Sequence, residues 1–337
     1  MLVTTRCPDY PARDPPIAPH GFEARKALTA ACGPLVLFLF CEIGPGADVS
    51  FHRTSQEIRI EVDLVDLYVT VNNKRGASVQ GLGKENFRVS ENEVEQEISH
   101  FDTDDAPYTI GLVLDHSGSM AMVIDDVFKA GLHTLQASKP VDEAFVLVFN
   151  DRVELIQDFT VDRKSLERVV HRVRAGGQTA LYDATQTALN QIRRGQYRKK
   201  ALLVVTDGAD NSSETSYREL LDSAQQSGVI IYVVGFFGNS MRFGSLLTDS
   251  PNVEKLTRLA EVTGGRAYFP KTMKQCMQAC LDIAGELRHQ YRLGYYPSNR
   301  EKDGTWRKIH VEVLAPRPNS AENLTVRTRS GYYAEKR

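Results

Sequence analysis

The stretch Ile110-Gly-Leu-Val-Leu-Asp-His-Ser-Gly-Ser119 joins an apolar run to one carboxylate and two hydroxyls. A continuous apolar run of this length is typical of a strand that is buried on both faces of a sheet. Asp115, Ser117 and Ser119 then follow at alternate positions, where the strand ends. Magnesium prefers oxygen ligands in a near-octahedral shell, and these three residues leave that shell incomplete. The stretch therefore predicts one side of a divalent-cation site at the end of a buried strand.

Two further oxygen ligands are predicted from segments that lie far along the chain. Thr179 is part of Gly176-Gly-Gln-Thr-Ala-Leu-Tyr-Asp183, and Asp207 closes the apolar run 201–206. Both lie where a loop opens between a strand and a helix. Ligands of an open α/β sheet bind beyond the carboxyl ends of its strands, which is where Asp115 and Asp207 are expected.

The five residues resemble the metal-ion-dependent adhesion site of the von Willebrand factor A family. That site is written Asp-x-Ser-x-Ser, then a distant Thr and a distant Asp, and all five positions are matched by Asp115, Ser117, Ser119, Thr179 and Asp207. Three sequence segments are also similar to those of a bacterial subgroup, the von Willebrand factor A-related domains of acidobacteria. These segments are LVLDHSGSM, GGQTALYDA and LLVVTDGAD. The resemblance implies bound Mg²⁺, with Mn²⁺ or Ca²⁺ as alternatives, and a partner protein that supplies an acidic side chain.

Two other features near these ligands are candidates for supporting roles. Asp183 follows Thr179 by four residues on the same helix, and we expect it to orient ligands from a second shell. The segment 236–251 is long enough to be a functional loop near the same sheet edge. It is our candidate for the partner-binding loop, through Phe237, Met241, Arg242 and Phe243.

From residue 108 onward, the pattern of strand and helix alternates and predicts an α/β fold. The expected architecture is a doubly wound, mostly parallel sheet with helices on both faces, similar to a Rossmann fold and assigned to residues 108–289. Helical spacing of apolar residues is present in 166–173, 181–192 and 253–260. Strands are expected at 109–115, 144–149, 153–158, 201–206, 229–236 and 266–269.

Alternating segments flank this domain at residues 54–105 and 290–335. Neither segment has enough strands to cover its own edges, so we expect the two to pair into one β-sandwich with the α/β domain inserted between them. Asp303-Gly304 predicts a hairpin between the strands at 291–296 and 307–314.

Residues 1–50 have the pattern of a targeting region. Arg25-Lys26 precede an apolar stretch from Ala27 to Cys41, which is shorter than the ~20 residues of a membrane span. We expect a signal peptide, no stable transmembrane helix after its removal, and an exported protein that is periplasmic, secreted or held in the cell envelope. Cys276 and Cys280 would then remain, on one apolar helix face as core residues.

The charge balance argues against a nucleic-acid partner. The chain of 337 residues has 41 basic and 43 acidic side chains and a net charge of −2, which gives no field of one sign. The incomplete coordination shell, together with the resemblance to the adhesion site of the von Willebrand factor A family, implies a binding or adhesion protein rather than an enzyme.

Two alternatives remain at this stage. One is a hydrolase or phosphotransferase on the same fold that uses Asp115 or Ser117, although Asp-His-Ser-Gly-Ser lacks the first glycine of a nucleophile elbow. His116 alternates out of phase with its neighbours, so its side chain is expected to point away from the site. The other alternative is purely structural, with Ser119, Thr179 and Asp207 as helix caps.

Overall fold

The structure is a computed structural model that describes residues 64–103, 105–207, 210–236, 251–314 and 324–336. All described residues belong to one unit. The predicted targeting region 1–50 and residues 54–63 of the first β segment lie outside the described residues.

Fourteen strands and six α-helices make up the described part of the chain, together with short 3₁₀ helices at Lys84–Asn86 and Gly118–Met122. The strands are β1 (Val65–Asn72), β2 (Phe87–Glu91), β3 (Val94–Gln96), β4 (Ile98–Asp102), β5 (Tyr108–Asp115), β6 (Glu143–Phe149), β7 (Val153–Thr160), β8 (Lys199–Thr206), β9 (Ile230–Gly235), β10 (Ala267–Tyr268), β11 (Tyr291–Tyr295), β12 (Trp306–Val313), β13 (Thr325–Arg327) and β14 (Gly331–Tyr333). The helices are α1 (Ile124–Gln136), α2 (Arg163–Val170), α3 (Leu181–Ile192), α4 (Tyr217–Ser227), α5 (Pro251–Glu261) and α6 (Met273–Arg288).

The α/β domain is built on a six-stranded sheet with the order β10-β9-β8-β5-β6-β7. All neighbouring pairs are parallel except β6 and β7, which are antiparallel. Every residue of β5, β6 and β9 is buried, which explains why their sequences are continuously apolar rather than alternating. One core cluster joins α1, α2 and α6 to one face, and another joins α3, α4 and α5 to the opposite face. The predicted doubly wound fold is confirmed.

Gly111 allows the central strands to pack closely. A Cβ atom at this position would lie 2.3 Å from the ring of Phe145 on β6 and 2.6 Å from Leu202 on β8. The glycine within an otherwise bulky apolar run therefore provides the space into which a neighbouring aromatic ring packs.

The flanking segments form two further antiparallel sheets, with the orders β13-β1-β11-β4 and β14-β12-β2-β3. In the first sheet β1 lies between β11 and β13, and in the second β12 lies between β2 and β14. Each sheet therefore combines strands from before and after the α/β domain, which alternate in the first sheet and meet at the β12–β2 pair in the second. A shared core packs the two sheets together, with Leu67, Val69, Val89, Leu293 and Tyr295 among its members. The two segments pair into one sandwich, as expected from their uncovered edges.

The predicted hairpin at Asp303-Gly304 is wrong. Both edges of β11 are occupied by β1 and β4, so the chain crosses to the other sheet before β12 begins. Gly304 has a positive φ of 71°, while Asp303 accepts hydrogen bonds from the backbone N–H of Thr305 (2.9 Å) and from Arg307 (3.1 Å). The Asp-Gly pair therefore forms a tight turn that precedes β12 after the chain has crossed. Strand β14 was not predicted either.

Buried polar contacts join α6 to the sandwich. The carboxylate of Glu286, on α6, binds the guanidinium of Arg327 at 2.6 Å and accepts a hydrogen bond from Asn72 Nδ2 at 3.0 Å. Cys276 and Cys280 are both buried on the same helix, as predicted, and both are free thiols. The longest helix of the described residues is α6 with 16 residues, and no described helix is long and apolar enough to cross a membrane.

Replacing Leu293 with alanine tests the shared sandwich core. Leu293 lies on β11 and is fully buried between strands from both ends of the chain. We expect Leu293→Ala to lower the free energy of unfolding by about 2–5 kcal/mol, because the lost methyl groups leave a cavity. Urea unfolding measures the change. Leu314→Ala is the matched control, since Leu314 is 40% exposed and its loss should cost much less; equal effects of the two variants would contradict the packing.

Candidate metal site

Asp115 lies at the carboxyl end of β5 and is fully buried. Its Oδ1 accepts a hydrogen bond from the backbone N–H of Ser117 at 2.8 Å. Its Oδ2 accepts one from the hydroxyl of Thr206 at 2.7 Å, at the end of the neighbouring strand β8. The carboxylate is thus oriented by its own loop on one side and by the adjacent strand on the other.

The hydroxyls of Ser117 and Ser119 lie beside this carboxylate in sequence, at the start of the 3₁₀ helix Gly118–Met122. Ser117 is buried and Ser119 is exposed, and their Oγ atoms are 3.0 Å apart. That distance is a hydrogen bond, and it also equals the spacing of about 3 Å between adjacent ligands of an octahedral Mg²⁺ with 2.0–2.1 Å bonds. The spacing of these two hydroxyls is therefore compatible with Mg²⁺ binding as well as with the hydrogen bond.

Thr179 is held near this loop by a set of backbone contacts. The N–H of Gly118 donates to Gly177 O at 3.1 Å, and the N–H of Gly176 donates to His116 O at 2.9 Å, so the two loops lie side by side. Gly177 has a φ of 82°, and a Cβ there would lie 2.1 Å from a carboxylate oxygen of Asp151. The Gly176-Gly177 pair thus allows the close approach that places the buried Thr179 next to the 115–119 loop.

Asn211 fixes the position of Thr179 from the opposite side. Its Oδ1 accepts a hydrogen bond from the N–H of Thr179 at 2.8 Å, and its own N–H donates to Thr179 O at 3.0 Å. Asp207, the fifth predicted ligand, is the first residue after β8 and is half-buried. The segment that begins with Asp207 therefore brings both a carboxylate and the support for Thr179 to this edge.

The electrostatics of the site favour a bound cation. Burial raises the pKa of Asp115, the hydrogen bonds from Ser117 and Thr206 lower it, and the negative charge of Asp207 raises it again. The net pKa is above the ordinary value, and no basic side chain contributes to it. A cation between the two carboxylates would offset both the desolvation and their mutual repulsion.

The donor set fits a hard cation. Two carboxylates and three hydroxyls supply only oxygen atoms, which suit Mg²⁺ rather than a metal that prefers nitrogen or sulfur. Within the described ranges there is no cluster of three or more His, Cys, Asp or Glu side chains that could hold a metal. Only Asp115 and Asp207 among the five predicted ligands belong to these residue types, and the other three supply hydroxyl oxygens.

Asp183 contacts a loop rather than a ligand. Its two carboxylate oxygens accept hydrogen bonds from the backbone N–H groups of Glu214 (2.9 Å) and Thr215 (2.8 Å). Burial raises the pKa of Asp183, but these hydrogen bonds outweigh that effect and hold the pKa below its ordinary value. Because the same loop contains Asn211, Asp183 supports Thr179 through the loop backbone. The predicted partner-binding residues Phe237, Met241, Arg242 and Phe243 lie outside the described residues and stay a prediction.

The helix-cap alternative does not fit the observed helix ends. The N-cap residues of α1, α3 and α4 are Val123, Ala180 and Ser216, respectively. None of the three proposed caps, Ser119, Thr179 and Asp207, is at these positions. Ser117 precedes the 3₁₀ helix but makes no side-chain capping bond. These side chains are therefore not needed to cap the helices beside the site.

The enzyme alternative lacks a histidine base beside the proposed nucleophile in the described part of the site. Ser119 Oγ lies 3.0 Å from Ser117 Oγ, and no described histidine contacts Ser117 Oγ. His116 Nδ1 contacts the backbone oxygen of Arg174 at 2.9 Å instead. The structure thus shows no activated serine of the triad type in the described part of this site.

The sequence predicts Asn211 only as a residue that shapes the loop, and its hydrogen bond to Thr179 was not predicted. The contact of Thr206 with Asp115 was not predicted either, although Thr206 directly precedes Asp207 in the sequence. The strand register supplies the missing information, because Leu114 pairs with Val205 and thus aligns Asp115 with Thr206.

Comparison with known proteins identifies one family model, described as the von Willebrand factor type A domain, which matches residues 109–280. A comparison with curated proteins finds no match. Several solved structures are similar to parts of the chain. An aerotolerance-related membrane protein from Bacteroides fragilis is 17% identical, and the match covers 53% of this chain and 98% of that one with a TM-score of 0.43.

Two other structures show comparable likeness. A von Willebrand factor type A protein from Catenulispora acidiphila is 11% identical, with 82% of this chain and 74% of that one covered and a TM-score of 0.46. The von Willebrand domain of a type V pilus tip protein from Porphyromonas gingivalis is also 11% identical, with 53% and 94% covered and a TM-score of 0.42. At these scores the likenesses carry no functional argument.

Replacing Thr206 tests the support of Asp115. Thr206→Val keeps the shape of the side chain but leaves a buried carboxylate oxygen without its hydrogen bond, which should lower the free energy of unfolding by about 1–3 kcal/mol. Urea unfolding in the presence of a chelator measures this effect without bound metal. Thr206→Ser retains the hydroxyl and should unfold close to the wild type; a valine variant as stable as the serine variant would argue against the contact.

Proposed function

Because the chain belongs to the von Willebrand factor type A domain family, we propose that its α/β domain is a binding module that captures an acidic group of a partner protein through Mg²⁺. The ligands would be the side chains of Asp115, Ser117, Ser119, Thr179 and Asp207. A carboxylate of the partner would complete the coordination shell and offset the charge of the ion. Mn²⁺ and Ca²⁺ are the alternative ions.

The observation that supports this proposal most directly is the buried carboxylate of Asp115 beside two hydroxyls whose oxygen atoms are 3.0 Å apart. The carboxylate has no basic partner contributing to its pKa, so a cation is the missing charge. Ser119 is exposed, so this side of the site faces solvent, where a partner could approach. Bound Mg²⁺ would supply the charge that attracts a partner carboxylate, while the protein holds the hydroxyls in place.

The absence of a histidine beside Ser117 in the described site argues against a triad-type hydrolase. The rival function, a hydrolase or phosphotransferase that uses Asp115 or Ser117, predicts turnover that is lost when Asp115 is changed. Assays with general esterase and phosphatase substrates distinguish the two, and we expect no turnover that depends on Asp115.

Magnesium titration tests the proposed ion. We expect wild-type protein to bind one Mg²⁺ by calorimetry and to show a higher Tm when Mg²⁺ is added, because the ion binds the folded state alone. Asp115→Asn removes one charge with little change in size and should abolish both responses.

Asp125→Asn is the matched control, because Asp125 is an exposed carboxylate in the first turn of α1, close in sequence to the site. It should retain the full response to Mg²⁺. If the wild type shows no response to Mg²⁺, Mn²⁺ or Ca²⁺, the metal site is refuted; if Asp115→Asn responds like the wild type, the ion binds elsewhere.

Capture of the partner tests the second half of the proposal. The wild-type chain, used as bait on the exported protein fraction of its own cells, should retain a partner in Mg²⁺ and release it in chelator. Asp115→Asn should retain none, whereas Asp125→Asn should behave like the wild type. Retention that is unaffected by chelator would show that the partner binds without the ion.

We also propose that the protein is exported, from the signal-like pattern in residues 1–50, which lie outside the described residues. The expected result is a mature chain that begins near residue 50 and is found in the periplasm, the envelope or the medium. Amino-terminal sequencing of the cellular protein measures this. A mature protein that retains residues 1–50 and fractionates with the cytoplasm would refute export.

A further inference from the structure

A cavity of about 480 Å³ lies where the β-sandwich packs against α4. Its lining includes Leu64, Gln226, Pro297, Arg329, Tyr332 and Tyr333. Cavities of roughly 300–1,000 Å³ with apolar walls and a few polar groups are typical of small-molecule sites. None of the five predicted metal ligands lines this cavity, so it is separate from the site on the central sheet.

Arg329 is the polar group that distinguishes this cavity. Its Nε atom is shielded from solvent and has no hydrogen-bond partner. Its guanidinium carbon lies 5.5 Å from the centre of the Tyr332 ring, a distance that allows a cation–π contact. Among the described residues, no carboxylate forms an ion pair with this side chain. Burial lowers the pKa of Arg329, as expected for a charge that is taken out of water.

Three other shielded arginines in the described chain have a carboxylate partner. Arg288 binds Asp142 at 3.0 Å, Arg307 binds Asp303 at 3.1 Å and Arg327 binds Glu286 at 2.6 Å. A shielded charge without a partner is costly, whereas a hydrogen-bonded ion pair offsets much of that cost. Arg329 therefore differs from these three arginines in having no carboxylate partner.

The carboxylates near Arg329 are engaged by other groups. Asp66 binds Arg292 at 2.8 Å and Arg198 at 2.9 Å. Glu91 accepts hydrogen bonds from Tyr295 (2.7 Å) and Tyr332 (2.9 Å).

Within the lining, Glu335 binds Lys302 at 3.1 Å. The remaining lining acid, Glu301, is exposed and adjacent in sequence to the exposed Arg300. The lining thus has three basic side chains against two acidic ones, and Arg329 is the shielded one of the three that forms no ion pair.

We propose that this cavity binds a small organic oxyanion, a carboxylate or phosphate that carries an apolar or aromatic group, with its oxygen atoms on the Arg329 guanidinium. A planar guanidinium presents paired N–H donors that match the oxygens of a carboxylate or phosphate. The apolar part of the ligand would lie against Tyr332, Tyr333 and Pro297. The bound anion would supply the counterion that the chain itself does not provide.

Calorimetry and thermal shift with three probes test the site on the full chain. A chelator is present so that no metal ion is bound at the candidate metal site. The probes are benzoate, phenyl phosphate and inorganic phosphate, and benzyl alcohol is the uncharged control. We expect saturable binding and a higher Tm with at least one of the two aromatic anions, weaker binding of inorganic phosphate, and none of benzyl alcohol. The preferred aromatic probe tells a carboxylate site from a phosphate site.

Arg329→Met removes the charge and keeps an unbranched side chain, so it should weaken binding of the aromatic anion at least about tenfold. Arg329→Lys keeps the charge but loses the paired donors, and its affinity should fall between those of the wild type and the methionine variant. Arg218→Gln is the matched control, because Arg218 is an exposed arginine on α4 that does not line the cavity. Its affinity should equal that of the wild type.

Three outcomes would overturn the proposal. The first is no saturable binding of either aromatic anion to the wild-type chain. The second is binding of benzyl alcohol as tight as that of the anions, which would make the cavity an apolar site. The third is full affinity in both Arg329 variants, which would place the anion elsewhere.

Discussion

The buried carboxylate of Asp115 is the constraint on which the candidate metal site depends. It lies at the end of a strand that is flanked by β6 and β8, and it is oriented by Thr206 and by the backbone of Ser117. A charge in such a place is stable only with strong hydrogen bonds and a counter-charge. The loops around it are positioned accordingly, because Gly177 and Asn211 bring Thr179 to the same edge. The proposed cation is the counter-charge that this arrangement lacks.

The β-sandwich leaves that edge open. The chain enters β5 from the sandwich strand β4 and returns to the sandwich from the end of α6, and both connections lie at the amino edge of the parallel strands, opposite the candidate metal site. Ion pairs reinforce this connection, since Arg288 at the end of α6 binds both Asp105 and Asp142. The sandwich can therefore hold the α/β domain without covering the carboxyl edge, where the proposed partner would bind.

The sequence was sufficient to predict the fold of the α/β domain, and it also supplied the residues of the candidate site. Continuous apolar runs identified β5, β8 and β9, because strands buried on both faces carry no alternation. The hydrogen bond from Thr206 to Asp115 could not be predicted from the apolar pattern, because it depends on the register between β5 and β8. The prediction of a hairpin at Asp303-Gly304 was wrong for a related reason. Turn residues show where a chain turns, but they do not show whether the preceding strand has an unpaired edge to which the next strand can pair. Arg329 likewise stands out only once its neighbours are known.

Anomalous diffraction from crystals of the chain loaded with Mn²⁺ tests the central claim most directly. Mn²⁺ prefers oxygen ligands as Mg²⁺ does and can be located by its own scattering. We predict one strong peak at the carboxyl edge of the central sheet, within direct coordination distance of Ser117 Oγ and Ser119 Oγ and beside the carboxylate of Asp115. A Mn²⁺ peak elsewhere, or none in crystals of the wild-type chain at saturating Mn²⁺, would contradict it.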